Sequence, residues 1–174
     1  MDMLNTILAR RSVRQYTDEP IPEEKLNAIL YAGLAAASSK NRRPWEFVVV
    51  RDRAMLDQLG DCRPGASNLL GKCTAAIVVC ADAEAVDVWV EDCGSAITQM
   101  HLMSDAIGVG SCWMQVRLRN AEDGRDTADV VRGLLGIPEK YGVMAILTLG
   151  MPASHPAPHT VDELLLDKIH HERF

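Results

Sequence analysis

The stretch Gly108-Val109-Gly110-Ser111-Cys112-Trp113-Met114-Gln115-Val116 decides which class of fold this chain can adopt. Its Gly-x-Gly start is the nearest approach to a dinucleotide-binding fingerprint in the sequence, but the context is reversed. Such a fingerprint follows a strand and opens a helix, so that a phosphate meets the helix N-terminus. Here the glycines follow the longest helical pattern, Trp89–Ile107, and lead into the strand-like run Ser111–Val116; the third glycine is missing. No Walker-type phosphate loop occurs either. A regular alternation of strand and helix is therefore not expected, and the class is α+β.

Working outward, Val90, Cys93, Ile97, Met100, Ser104 and Ile107 alternate three and four apart, the period of a helix. Ala96, Met103 and Ala106 widen that stripe, which predicts burial on more than one face, one route being a partner subunit. Upstream, Ala75–Ala81 is a short apolar run that suits a strand buried on both faces. Glu46–Val50 reads as another strand and Ala54–Leu59 as a short helix, with a loop through Pro64-Gly65. Pro22-Glu23-Glu24 opens a helix whose core face is Leu26, Ile29, Leu30, Gly33 and Leu34. Asp2 caps a first helix with Leu4, Ile7 and Leu8 on its apolar side, expected to break near Arg14-Gln15-Tyr16. Downstream, Thr127–Leu135 is a helix stopped by Gly136 and Pro138, and Val143–Leu149 is a strand. The tail after Gly150 carries Leu164-Leu165-Leu166 and Ile169, too apolar for a disordered terminus. Together these predict a single domain over residues 1–174: a small, mixed but mostly antiparallel sheet flanked by helices.

Composition narrows the function. With 174 residues, 48% hydrophobic and 24% charged, the chain matches an ordinary one-domain globular protein. No run approaches the ~20 apolar residues that span a bilayer. Met1–Leu4 leads to Arg10 and Arg11 without a signal-peptide core, so a cytoplasmic location is expected. A net charge of −6 argues against a nucleic-acid surface. The five cysteines, at 62, 73, 80, 93 and 112, are odd in number and show no Cys-x-x-Cys pair; they read as small buried hydrophobes. His155 and His159 are four apart, but Pro156 and Pro158 prevent the helix that would align them, and no metal site is expected. No Gly-x-Ser-x-Gly elbow or Cys/His nucleophile is present.

Two cationic clusters stand out in this acidic chain. Arg10-Arg11-Ser12-Val13-Arg14 gathers three guanidinium groups and a hydroxyl, which suits a phosphate: arginine offers planar paired donors and serine one more. Ser38-Ser39-Lys40-Asn41-Arg42-Arg43-Pro44-Trp45 brings hydroxyl, amide and cationic groups to one loop, which suits the polar edge of a flat heterocycle. Taken alone, Trp113 and Met114 fit the core of a strand, and Asn68 an ordinary turn.

Together and in order, these motifs resemble the flavin-binding nitroreductase family. Arg-Arg-Ser-x-Arg is followed about thirty residues later by Ser-Ser-x-Asn-x-x-Pro-Trp. Gly108–Met114 is similar to that family's Gly-Leu-Gly-Thr-Cys-Trp-Ile segment. Leu135-Gly136-Ile137-Pro138 and Leu149-Gly150-Met151-Pro152 resemble its Leu-Gly-x-Pro pair, and His170–Phe174 its His-x-x-Arg-Trp terminus.

The resemblance implies a homodimer with one FMN at each of two interface sites, and a C-terminal tail packed on the partner subunit. It implies that Arg10, Arg11, Ser12 and Arg14 hold the phosphate and ribityl chain. Ser38, Ser39 and Asn41 would reach the partner's flavin, with Arg43 beside the ring or the substrate. Trp113, Met114 and Gln115 would lie along the isoalloxazine with a backbone N–H near N5, and Asn68 would touch the pyrimidine edge. Arg173, or else Lys168, would add a terminal phosphate contact. The implied reaction is ping-pong: NADH or NADPH delivers hydride to flavin N5, and an electron-poor acceptor (nitroaromatic, quinone or flavin) takes its place. The flavin then carries the chemistry and no catalytic side chain is required. Three departures bear on substrate choice: Ala37 for proline, Arg43 for glutamine, and Gln115 for glycine. A carrier or sensor that binds FMN without turnover is the alternative. A flavin-destroying or dehalogenating relative would need a lid, for which Arg117–Asp126 is the one candidate.

Overall fold

Four strands, β1 (Trp45–Val50), β2 (Ala75–Asp82), β3 (Gly110–Gln115) and β4 (Tyr141–Gly150), form one sheet in the order β1-β2-β4-β3 in a computed structural model that describes residues 2–174. Every pairing is antiparallel, with Val48 opposite Val78, Val78 opposite Ile146, and Trp113 opposite Leu147. The expected mixed sheet is thus antiparallel throughout. β2 lies inside, and Ala75–Ala81 is buried residue for residue, which is why that run lacks polar alternation. β3 is an edge strand.

Helices cover both faces. On one, α2 (Glu23–Leu34) and α5 (Trp89–Ala106) pack over Ile77, Val79, Ala145, Leu147 and Leu149. The two helices approach so closely that a Cβ added at Gly33 would sit 2.8 Å from Met100 Sδ. On the other face, α3 (Arg53–Gly60), α4 (Ser67–Leu70) and α6 (Thr127–Leu135) cover Val78, Cys80, Met114 and Ile146. α6 has its predicted bounds and closes on Gly136 in the left-handed conformation (φ 66°). The one-turn α4 was not expected, being too short for periodicity to reveal. All five cysteines are buried free thiols. No helix among the described residues is long and apolar enough to cross a membrane.

The N-terminus departs from expectation. α1 (Met3–Ala9), capped by Asp2, stops well short of Arg14. Residues 10–14 instead run beside β3, where the Val13 N–H donates to the Ser111 carbonyl at 2.9 Å. Val13 is buried against Gly110, at which a Cβ would lie 2.8 Å from Val13 Cγ1; this tertiary contact outweighs helix propagation. Leu4 and Ile7 are each 48% exposed, and Leu34, expected in the core, is 53% exposed.

The tail returns along that segment: the Ala153 N–H donates to Gln15 and the His159 N–H to Leu8. Beyond it, Leu164, Leu165, Leu166, Ile169 and Phe174 all face solvent in the protomer.

Candidate functional site

The Arg10–Arg14 segment owes its shape to α5 and β3. From α5, Asp105 Oδ1 accepts the Arg11 N–H at 3.3 Å, and His101 faces the Arg10 guanidinium, with Nη1 to Nε2 at 2.9 Å. Arg11 donates to the Ala157 carbonyl of the tail, and Arg14 only to the nearby Ser12 carbonyl. None of these three guanidinium groups forms a salt bridge among the described residues, although the chain holds 24 acidic residues. Fixed cations without carboxylate partners, next to the Ser12 hydroxyl, form a donor set for a phosphate.

β3 continues this surface. Its alternation sends Ser111, Trp113 and Gln115 to the α5 face, and Cys112 and Met114 to the other. Trp113 is half-buried, and its indole N–H donates to Gln115 Oε1 at 2.9 Å. The Gln115 amide in turn donates to the Arg117 carbonyl, so this side chain is held in place at both ends. Met114 is 1% exposed within the α3/α6 core, on the opposite face of β3 from Trp113 and Gln115. The outer-edge carbonyls of Ser111 and Gln115 accept from Val13 N–H and Arg63 Nε. Antiparallel alternation therefore turns the Trp113 and Gln115 N–H groups, not that of Met114, to the open edge.

The second cluster is a tight loop after α2. Lys40, Asn41 and Arg43 have φ of 53°, 54° and 49°, a region that L-residues seldom enter and that marks a conformation fixed by its surroundings. Arg43 stitches the loop together: its N–H donates to Ser38 Oγ and its Nε to Asn41 Oδ1, both at 2.9 Å. The Ser38 hydroxyl hydrogen and the Asn41 NH₂ remain as outward donors. Asp92 of α5 accepts the Ser39 N–H at 2.8 Å. Its Oδ2 is buried and has no partner among the described residues.

One protomer does not bring the two clusters together. Asp92 holds one and Asp105 the other; thirteen residues of α5 separate them by about 20 Å. Arg173 lies in the exposed tail, its N–H donating to the His171 carbonyl. Lys168 lies in the same tail. Asn68 is exposed on α4, just after the turn from which Arg63 reaches Gln115. The Arg117–Asp126 segment is a small pinned loop closed by a bridge between Asn120 and Asp126, with Leu118 71% exposed.

A cleft of about 840 Å³, bordered by Tyr16, Asp18, Arg51, Arg53 and Lys72, lies off this surface. Its arginines are already committed, Arg51 to Glu23 and Arg53 to Asp57 and two carbonyls, so it is a poorer phosphate grip than Arg10–Arg14.

Sequence reasoning missed His101, Asp105, Asp92 and Arg63. The available signal for His101 was a polar side chain next to the apolar stripe Ile97–Met100–Ser104, at a position where a hydrophobe would serve packing equally well.

A family model described as the nitroreductase family matches residues 7–63 and 63–151. An FMN-dependent nitroreductase from Clostridium difficile superposes with a TM-score of 0.95 at 38% identity, covering 99% of this chain and 100% of that one. A protein of Archaeoglobus fulgidus, provisionally named NADH dehydrogenase/NAD(P)H nitroreductase, is 36% identical over 99% of both chains. The NADPH-flavin oxidoreductase of Vibrio harveyi is 29% identical over 88% of this chain and 67% of its own.

Proposed function

Because the chain belongs to the nitroreductase family, we propose that it is an FMN-dependent oxidoreductase that spends NADH or NADPH on reducing an electron-poor acceptor, and that it works as a homodimer. The observation that carries this reading is the row of Arg10, Arg11 and Arg14, all without carboxylate partners, on the open edge of the strand that bears Trp113.

The residues present fit FMN. Arg10, Arg11, Ser12 and Arg14 would hold the phosphate and ribityl chain. Trp113 would flank the ring, and the outward N–H of Trp113 or Gln115 would face its N5. When bound, FMN supplies the redox chemistry, accepting hydride from the nicotinamide and passing it to a nitroaromatic, a quinone or another flavin in ping-pong order. The protein's part is to bind, orient and tune. Its guanidinium groups favour the dianionic phosphate, and a fixed N–H at the ring favours added electron density there.

The separation of the clusters along α5 supports a site shared between subunits, in which Ser38, Ser39 and Asn41 serve the partner's flavin. Exposed leucines on the tail and on α1 are the apolar surface such a dimer would bury. We assign Asn68 to the pyrimidine edge, and Arg173 to a phosphate reached only through assembly. Five free thiols suit a reducing compartment, and we place the enzyme in the cytoplasm on that ground.

The test is a visible spectrum of the purified protein, followed by anaerobic NADH or NADPH. A flavin spectrum that bleaches supports the reductase reading and identifies the donor. A flavin that neither donor reduces makes the protein a carrier or sensor, and failure to take up added FMN overturns the assignment.

A further inference from the structure

Resting on the FMN reading, we propose that His101 is the positioning residue for the phosphate grip: its neutral imidazole aims the Arg10 guanidinium, and its protonation releases the cofactor in acid.

The geometry fixes the state of the ring. A guanidinium has only donors, so His101 Nε2 must accept from Arg10 Nη1 at 2.9 Å. The ring proton is therefore on Nδ1, which donates to Ser111 Oγ at 2.6 Å. Ser111 is buried on β3 and is itself the carbonyl partner of Val13, so the relay Ser111–His101–Arg10 starts from the strand that already anchors this segment. His101 is 7% exposed, and its ring nitrogens are spent on this relay, with neither left to touch a ligand directly. Buried, satisfied and single in tautomer, the imidazole acts on the site only through Arg10.

Protonation would break the relay. A second ring proton at Nε2 removes the acceptor that Arg10 has among the described residues and sets two cations 2.9 Å apart. Burial and the Arg10 charge both resist this and push the His101 pKa down to about 4. The other charged group facing the ring is Asp105, one turn on along α5, which works the opposite way. Asp105 is in turn held by His155 of the tail and by the Arg11 N–H.

The experiment measures the dissociation constants of FMN and of riboflavin for the intact wild type, His101→Gln and His101→Leu, by flavin fluorescence between about pH 7.5 and 3.5, a range that passes through the His101 titration near 4. Riboflavin lacks only the phosphate. Glutamine can still accept from Arg10 but cannot titrate, whereas leucine does neither. Near neutrality His101→Leu should bind FMN roughly tenfold more weakly, the size of one charge-assisted hydrogen bond, with riboflavin affinity unchanged. His101→Gln should bind both flavins like the wild type near neutrality and lose less FMN affinity in acid. The phosphate has its own proton near pH 6, but that titration is common to all three proteins and cancels in the comparison. Equal acid profiles for wild type and His101→Gln would overturn the proposal, as would a loss in His101→Leu shared by riboflavin. If His101→Leu does not fold, the glutamine profile decides alone. A wild type that binds neither flavin would instead overturn the FMN reading itself.

Discussion

The Ser39 N–H donates to Asp92 Oδ1 at 2.8 Å, so a carboxylate in the first turn of α5 anchors the strained loop at the opposite end of that helix from Arg10–Arg14. Asp92 is 5% exposed, and replacing it leaves the half-buried Ser39 N–H without its acceptor. Asp92→Ala should cost about 1–3 kcal/mol of stability. It should also weaken FMN binding as the left-handed Lys40, Asn41 and Arg43 relax. Asp92→Asn keeps an acceptor and should lose less on both counts. Chemical unfolding and FMN titration check this; an Asp92→Ala protein with wild-type FMN affinity would remove residues 38–43 from the site.

Gln115 stands between Trp113 and Arg117, accepting from one and donating to the other. Gln115→Ala should free the Trp113 indole, shift tryptophan emission and change the acceptor KM more than FMN affinity. The proposed phosphate contacts lie elsewhere, on Arg10–Arg14. A glycine at 115 would combine that loss with a wider approach to the ring edge. Unchanged KM values for both nicotinamide and acceptor would show that this pair does not shape the substrate cavity.

Two histidines predict opposite responses to pH. His101 titrates near 6.5 when unfolded and near 4 when folded, so the unfolded chain binds more protons in that window. Its contribution is present above about pH 6.5 and is lost as pH falls toward 4, by roughly 3 kcal/mol in all. His155, 37% exposed, has its pKa raised by the hydrogen bond to Asp105 at 2.7 Å. Its contribution is full below the unfolded value and fades as pH rises through the folded one; solvent screening keeps it within about 1 kcal/mol. Urea unfolding across this range should show acid destabilisation that His101→Gln flattens, and a smaller alkaline loss that His155→Ala abolishes.

How much of this was legible in the sequence varies with the physical cause of each element. β2 and α6 were readable because their signals are local: an unbroken apolar run, and a helix pattern stopped by Gly136 and Pro138. The order of the strands within the sheet and the end of α1 were not. Nothing near Arg10–Arg14 forbids a helix; the segment is extended because Val13 fits against Gly110 and bonds to Ser111, far along the chain. Arginine and serine were nameable as candidate phosphate ligands by residue type, whereas their support was not. His101 lies within a stripe of hydrophobes, and only the folded geometry sets it against Arg10. The core reading of Met114 was available from its residue type, but which face of β3 it would take follows from strand alternation only once the α5 face is known.

The tail carries the prediction with the widest reach. Residues 151–159 are tied to the protomer through Gln15, Leu8, Asp105 and Arg11, but from Leu164 onward the large side chains are uncovered: Leu165 is 68% exposed and Ile169 59%. Leucine and isoleucine in that number are rarely left in water by a monomer. Burying them on a partner would stabilise the dimer by about 1.5–3 kcal/mol for each side chain fully covered, before the cost of ordering the chain is subtracted. Ending the chain after residue 160 keeps the ties and removes the apolar arm, together with Lys168 and Arg173. The shortened protein should retain its far-ultraviolet circular dichroism, elute closer to monomer size in chromatography with light scattering, and bind FMN more weakly at low protein concentration. An arm that merely folds back would leave mass and affinity unaltered. Arg173→Ala in the full chain separates the two contributions: it should lower FMN affinity while leaving the dimer intact, because it removes a charge and leaves the apolar contact in place.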